Sequence, residues 1–173
     1  EIEISQPRTG PAIRLQRFAQ KLLEGDDVEV VIIGGSVSCN AGVEDESVGY
    51  PKMFEKLLIE FLPSMALDAI ALSKVHVTNA CVAATGSEFF KHCFALHTTK
   101  NTDLVILETS INDHFYSGCR DLNSDECDDG INGDIEDLVR NVLGISRWTA
   151  VIALNSFCPL HDGGRLNGGD IYH

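Results

Sequence analysis

Val28-Glu29-Val30-Val31-Ile32-Ile33-Gly34-Gly35-Ser36 decides the fold. Its first six residues are mostly β-branched and almost all apolar. They read as a strand buried on both faces, as in a parallel sheet, and not as the half-wet strand of an antiparallel one. The two glycines then permit a sharp turn where a Cβ would clash. The first polar side chain past the turn is the hydroxyl of Ser36, at the carboxyl end of a strand, where open α/β sheets hold their ligands. A second run, Leu104-Val105-Ile106-Leu107-Glu108-Thr109-Ser110-Ile111-Asn112-Asp113, has the same design: an apolar strand with a polar end.

Working outward, apolar residues at Leu15, Phe18, Leu22 and Leu23 have helical spacing over 11–24, and Gly25 closes that helix. Small and acidic residues make a loop of Val37–Gly49. Tyr50-Pro51 opens a second helix, Lys52–Leu62, with proline in its first turn. Ile70–Val77 reads as strand two, Asn79–Ser87 as a turn, Glu88–His97 as a third helix and Leu104–Leu107 as strand three. A long loop is expected from Asn112 to about Gly133, then an amphipathic helix over Ile135–Leu143 ended by Gly144, then strand four at Thr149–Leu154. Residues 155–173 hold four glycines and no clear periodicity. Alternating strands and helices predict a three-layer α/β sandwich with a mainly parallel sheet of flavodoxin-like type. At 173 residues a single domain, 1–173, is expected.

A hydrophobic content of 44% supports a packed core, and no apolar stretch is long enough to span a membrane. The formal net charge of -13 argues against nucleic acid or an anionic membrane as partner, since both need a cationic face. None of the six cysteines forms a C-x-x-C pair. Cys119 and Cys127 flank a polar loop and are the best candidates for a local disulfide, while Cys81 and Cys93 read as buried thiols. The chain begins with Glu1, as a processed product or a fragment would, and a secreted or extracytoplasmic location is expected.

Several constellations carry competing readings. Gly34-Gly35-Ser36 reads also as a plain strand-to-helix turn with Ser36 as N-cap, or as an anion cradle, although no P-loop lysine follows and Glu44, Asp45 and Glu46 make the loop acidic. Ser38 is a rival nucleophile further from the strand end. Asn112 and Asp113 suit capping. Asp125 to Glu136 approximates a calcium loop, but Cys127 stands where an oxygen ligand is wanted. His92, Cys93 and His97 share a helical region without a second ligand pair, and read as partly buried side chains. Phe89, Phe90 and Phe94 read as core. His114 lies close enough to Asn112 in sequence to line a site mouth or stand in as a base.

In their order and spacing these blocks resemble the SGNH hydrolases, the GDSL-type esterases and lipases. Gly34-Gly35-Ser36 matches the nucleophile block, with Gly35 where the family usually has Asp. Gly86, in Asn79-Ala80-Cys81-Val82-Ala83-Ala84-Thr85-Gly86, matches the glycine of the second block. Ser110-Ile111-Asn112-Asp113 matches Gly-x-Asn-Asp, with Ser110 replacing the glycine. The likeness runs from about Val28 to Pro159 and implies an SGNH-type domain.

The resemblance further implies that Ser36 is the nucleophile. The Ser36 and Gly86 backbone N–H groups and the Asn112 side-chain amide would form an oxyanion hole, in which one donor is worth roughly 3–4 kcal/mol. Asp170-Ile171-Tyr172-His173 matches the family's D-x-x-H letter for letter and would supply the acid/base pair. No strand signal separates Pro159 from His173, where the family places a fifth strand. The other reading is therefore a domain lacking the C-terminal strand and helix, C-terminally incomplete, whose site a second chain or a missing segment completes.

The expected activity is hydrolysis of a carboxylic ester through an acyl-enzyme, with no cofactor and no metal. A small acyl or O-acetyl-carbohydrate ester is favoured over a lipid because no long apolar lid segment appears. The alternative is a catalytically inactive relative that uses the same cleft for binding or assembly.

Overall fold

The computed structural model describes residues 12–42, 44–45, 48–61, 74–116 and 125–154. In chain order these form α1 (Ile13–Glu24), β1 (Val28–Gly34) and α2 (Tyr50–Lys56), which runs on into a π turn, Leu57–Phe61. Then come β2 (Val75–Cys81), α3 (Ser87–Cys93) with a 3₁₀ turn Phe94–Leu96, β3 (Leu104–Glu108), α4 (Ser110–Tyr116), α5 (Asp125–Ile145) and β4 (Ala150–Ala153). The four strands are all parallel, in the order β2-β1-β3-β4. Their carboxyl ends therefore share one edge, and Gly34 of β1 pairs with both Cys81 and Glu108 there.

Side chains alternate across the sheet and divide the core in two. On one face Val28, Val30, Ile32, Leu104 and Ile106 pack under Phe18 of α1 and Leu58 of the π turn. On the other, Val31, Ile33, Val105 and Leu107 pack under Phe90 of α3 and Leu138 and Val142 of α5. Helices thus cover both faces, and the domain is a three-layer α/β sandwich. Gly25 ends α1 in the left-handed region at φ 80°, which glycine adopts without strain. Arg14 of α1 reaches across the layers. Its Nη1 donates to the carbonyls of Leu143, Ser146 and Thr149 at 3.2, 3.2 and 2.8 Å, fastening α1 to the end of α5 and the start of β4.

Several local expectations change. Of the strand expected at Ile70–Val77, residues 70–73 lie outside the described residues; β2 runs on to Cys81, so Asn79, read as a turn residue, pairs with Ile32 inside the sheet. The long loop after Asn112 is in large part helix. Ser110–Tyr116 forms α4, and α5 begins at Asp125 and passes through Gly144 to Ile145. The calcium reading falls with that loop, because residues 125–136 are helical and cannot wrap a cation as an EF-hand loop does. Cys81 is not a buried thiol but is joined to Cys39 in a disulfide, while Cys93 is free and half-buried. Cys119 lies outside the described residues.

Candidate active site

Ser36 follows β1 at the carboxyl edge of the sheet, within a run of tight turns over residues 36–42. The next described helix starts at Tyr50 with Gly49 as its N-cap, so among the described residues Ser36 neither caps a helix nor cradles an anion at one. Backbone bonds shape the turn: Cys39 N–H donates to the Gly35 carbonyl at 3.1 Å and Ala41 N–H to the Ser36 carbonyl at 2.9 Å. The chain is packed tightly enough that a Cβ on Gly34 would lie 2.0 Å from the Ser38 hydroxyl oxygen.

Ser38 itself is fully buried, which removes it as a rival nucleophile open to substrate. Its Oγ lies 3.0 Å from Glu108 Oε2 and 2.6 Å from the Tyr50 hydroxyl, and its carbonyl accepts from Asn79 Nδ2 at 2.8 Å. Burial pushes the Tyr50 phenol up to about 12. The bond to Ser38 opposes that rise, and the negative charge of Glu108 adds to it. Tyr50 is thus a neutral donor throughout the physiological range.

The loop after β2 arrives from the other side. Val82 N–H donates to the Gly34 carbonyl at 3.0 Å, extending the β1–β2 pairing by one bond. Ala84 then turns the chain in the left-handed region at φ 62°, and the Thr85 hydroxyl closes the turn on the Val82 carbonyl at 2.7 Å. The Cys39–Cys81 disulfide ties this loop to the Ser36 turn. It could not be read from a sequence separation of 42; the register that sets Cys81 beside Gly34 makes it possible.

The third contribution comes from α4. Asn112 and Asp113 lie in its first turn, their N–H groups on the Thr109 carbonyl at 3.0 and 2.9 Å, so neither is a loop cap. Asn112 is only 5% exposed, and its Nδ2 donates to the Thr85 carbonyl at 2.8 Å. A Cβ on Gly35 would lie 1.6 Å from that same Nδ2 and 3.2 Å from the Thr85 carbonyl oxygen. Three segments remote in sequence therefore meet at one point: the residue before Ser36, the residue before Gly86, and the Asn112 amide. Gly35 stands where the resembled family has Asp, and the position has no room for any side chain while Asn112 stays in place.

Asp113 holds the second segment in register. Its Oδ1 accepts the Ser87 N–H, and the Ser87 hydroxyl at 2.8 Å. A Cβ on Gly86 would fall 2.2 Å from the same oxygen. Burial raises the Asp113 pKa above the usual carboxylate range, against the lowering effect of the Ser87 backbone N–H and the Thr109 and Ser87 hydroxyls.

Beside this meeting point opens a cavity of about 370 Å³, lined among others by Thr85, Gly86, Phe89, His92, Asn112 and Ile131. Phe89, read as core, is 43% exposed on its wall; Phe90 beside it is the fully buried ring. His92 is exposed, not partly buried as expected. A larger cavity, about 440 Å³, lies at the opposite edge, around Arg17, Lys21, Asp103 and Trp148. We place the candidate site at the smaller one, since parallel sheets gather reacting groups at the carboxyl ends of their strands. Asp170 and His173 lie outside the described residues, as does the side chain of His114.

No known protein-family profile matches the chain, and no curated protein matches its sequence. Solved structures do match. The chain shares its fold with a two-domain esterase. That crystal structure is of an esterase (CEX) active on acetylated mannans, with TM-score 0.65 and 19% identity, over 83% of this chain and 34% of that one. The same esterase co-crystallized with mannopentaose gives TM-score 0.61 and 20% identity, over 89% and 39%. The chain thus spans between a third and two-fifths of that enzyme's length, and the likeness is one of fold.

Proposed function

We propose that this chain is the nucleophile-bearing part of an SGNH-type serine esterase that hydrolyses a small acyl or O-acetyl-carbohydrate ester. One observation carries the reading: the 1.6 Å approach of the Gly35 Cβ position to Asn112 Nδ2, on the Thr85 carbonyl, sets the serine turn, the Gly86 loop and the carboxamide around a single point. In this reading Ser36 Oγ attacks the ester carbonyl carbon. The hydroxyl proton passes to a histidine base, and the alcohol leaves with a proton from that base. Water then hydrolyses the acyl-enzyme and restores Ser36. The carbonyl oxygen, as it gains charge, takes hydrogen bonds from the Ser36 and Gly86 N–H groups and Asn112 Nδ2. Asp170 and His173 are the acid/base pair of the proposal, with a segment or second chain outside the described residues as the other source.

The acetylmannan activity of the structural neighbour favours a carbohydrate ester. So does the adjoining cavity, where the exposed Phe89 ring offers a face for a sugar to stack on. A disulfide beside the site suits a secreted or extracytoplasmic protein. The test is fluorophosphonate labelling together with acetate release from acetylated oligosaccharides. Labelling that vanishes in Ser36→Ala is expected. A folded wild-type protein that neither labels nor releases acetate is instead a binding or assembly relative.

A further inference from the structure

Ser36 sits between two bonds to one residue. On its amino side Gly35 N–H donates to the Glu108 main-chain carbonyl at 3.0 Å; on its carboxyl side Ser38 N–H donates to Glu108 Oε2 at 3.2 Å. The Ser38 hydroxyl donates to the same carboxylate oxygen at 3.0 Å, and since that hydrogen is then spent, Tyr50 donates to Ser38 Oγ. Glu108 is 1% exposed, at the last position of β3 and level with Gly34 in the register. A carboxylate so placed costs free energy to desolvate, and a strand needs no acid there for its own hydrogen bonds. The bonds it makes to Gly35 and Ser38 end on both flanks of the serine turn.

We propose that Glu108, working through Ser38 and Tyr50, is the positioning residue that holds the Ser36 turn in its reactive geometry. The claim rests on the esterase reading above and adds to it a group that the three family blocks do not contain. Main-chain and side-chain oxygens of one residue fix the two ends of a four-residue arc. The main chain at Ser36 cannot shift far within it without disturbing a bond to Glu108. The chain Tyr50 to Ser38 to Glu108 also ties α2 to β3 beneath the turn, so three elements set the serine's position. Positioning errors of about 1 Å cost on the order of 100-fold in rate.

The experiment compares wild type, Glu108→Ala, Glu108→Gln and Tyr50→Phe, reading fluorophosphonate labelling rate, kcat and KM on an aryl acetate, and Tm. Glu108→Ala is expected to lower labelling and kcat about 100-fold with KM little changed. Glu108→Gln, whose amide oxygen still accepts the Ser38 N–H, is expected to recover part of that loss. Tyr50→Phe keeps the ring and the carboxylate, and is expected to lose less than Glu108→Ala. If Glu108→Ala does not fold, Glu108→Gln and Tyr50→Phe decide the matter. Folded variants that label and turn over at the wild-type rate overturn the proposal, whatever their Tm. A wild type that does not label at all defeats the esterase reading instead, and the two failures are distinct.

Discussion

Gly35→Ala separates stability from the activity proposed above. The new methyl would lie 1.6 Å from Asn112 Nδ2, 2.8 Å from its Cγ and 3.2 Å from the Thr85 carbonyl oxygen. The first two atoms belong to a side chain that can rotate away, and the third needs to give by only a few tenths of an ångström. The fold should therefore survive with the carboxamide displaced. Displacement breaks the 2.8 Å bond to the Thr85 carbonyl, which is half-buried on the cavity wall, a net cost of about 0.5–1.5 kcal/mol. For a domain of this size that is a fall in Tm of roughly 1–6 °C. In the proposed esterase the activity cost is larger, because an oxyanion donor moved off its point would be worth about 100- to 1,000-fold in kcat. The assay is aryl acetate turnover with Tm measured on the same samples. Asn112→Ala should match Gly35→Ala in rate, and the double variant should be little worse than either, since both remove one donor. A folded Gly35→Ala protein with wild-type kcat would refute the reasoning, because the meeting of the three segments would then have no part in the chemistry.

Four further outcomes are expected. Breaking the Cys39–Cys81 bond, by reductant or by Cys39→Ser with Cys81→Ser, should cost about 4 kcal/mol by loop-closure entropy for a separation of 42, read as a lower Tm. Leu138→Ala, at a fully buried site under the sheet, should cost about 2–5 kcal/mol in denaturant unfolding, with kcat unchanged in the folded fraction. Phe89→Ala should raise KM for an acetylated oligosaccharide but not for an aryl acetate; equal effects on both substrates would remove Phe89 from sugar binding.

Asp113→Asn tests the buried carboxyl through pH. Its folded pKa lies above its unfolded value, so the folded state holds the proton more tightly and ionisation weakens the fold. Wild type should therefore lose stability relative to Asp113→Asn as pH rises from the unfolded carboxylate value, about 3.9, through the raised folded value. The difference should be flat above that window. A difference in Tm that runs the other way between pH 3 and 7 would contradict the burial argument.

The parts of the fold that sequence reveals are those where burial is complete. Every residue of β3 is buried and β1 has one partly exposed position, so their apolar runs stand out at a glance. Among the described residues β2 lies at the sheet edge, its residues mostly half or fully exposed, and His76 and Asn79 owe their extended form to pairing with β1, not to their own preferences. Asn112 and Asp113 are turn formers by habit, but here they begin a helix, held there by what their side chains bond to across the molecule. Of the candidate site, sequence offers the residue types and their order: Ser36, Gly86 and Asn112 at strand ends. It does not offer Glu108 as a clamp, because that role exists only once β1 and β3 lie side by side. Phe89 and Phe90 are alike on paper, and helix rotation alone sends one to the core and the other to the cavity wall.

The three carbonyls on Arg14 lie 129, 132 and 135 residues further along the chain. Arg14 is therefore made well before the acceptors that anchor its guanidinium, which follow β1, β2 and β3 in the chain. The full anchoring of α1 thus depends on the far end of the described chain. Phe18 can settle on β1 from the start, but the Arg14 anchor waits for the turn before β4. Thermal opening should run the same path in reverse, with amide exchange in α1 accelerating before exchange in the β1–β3 centre.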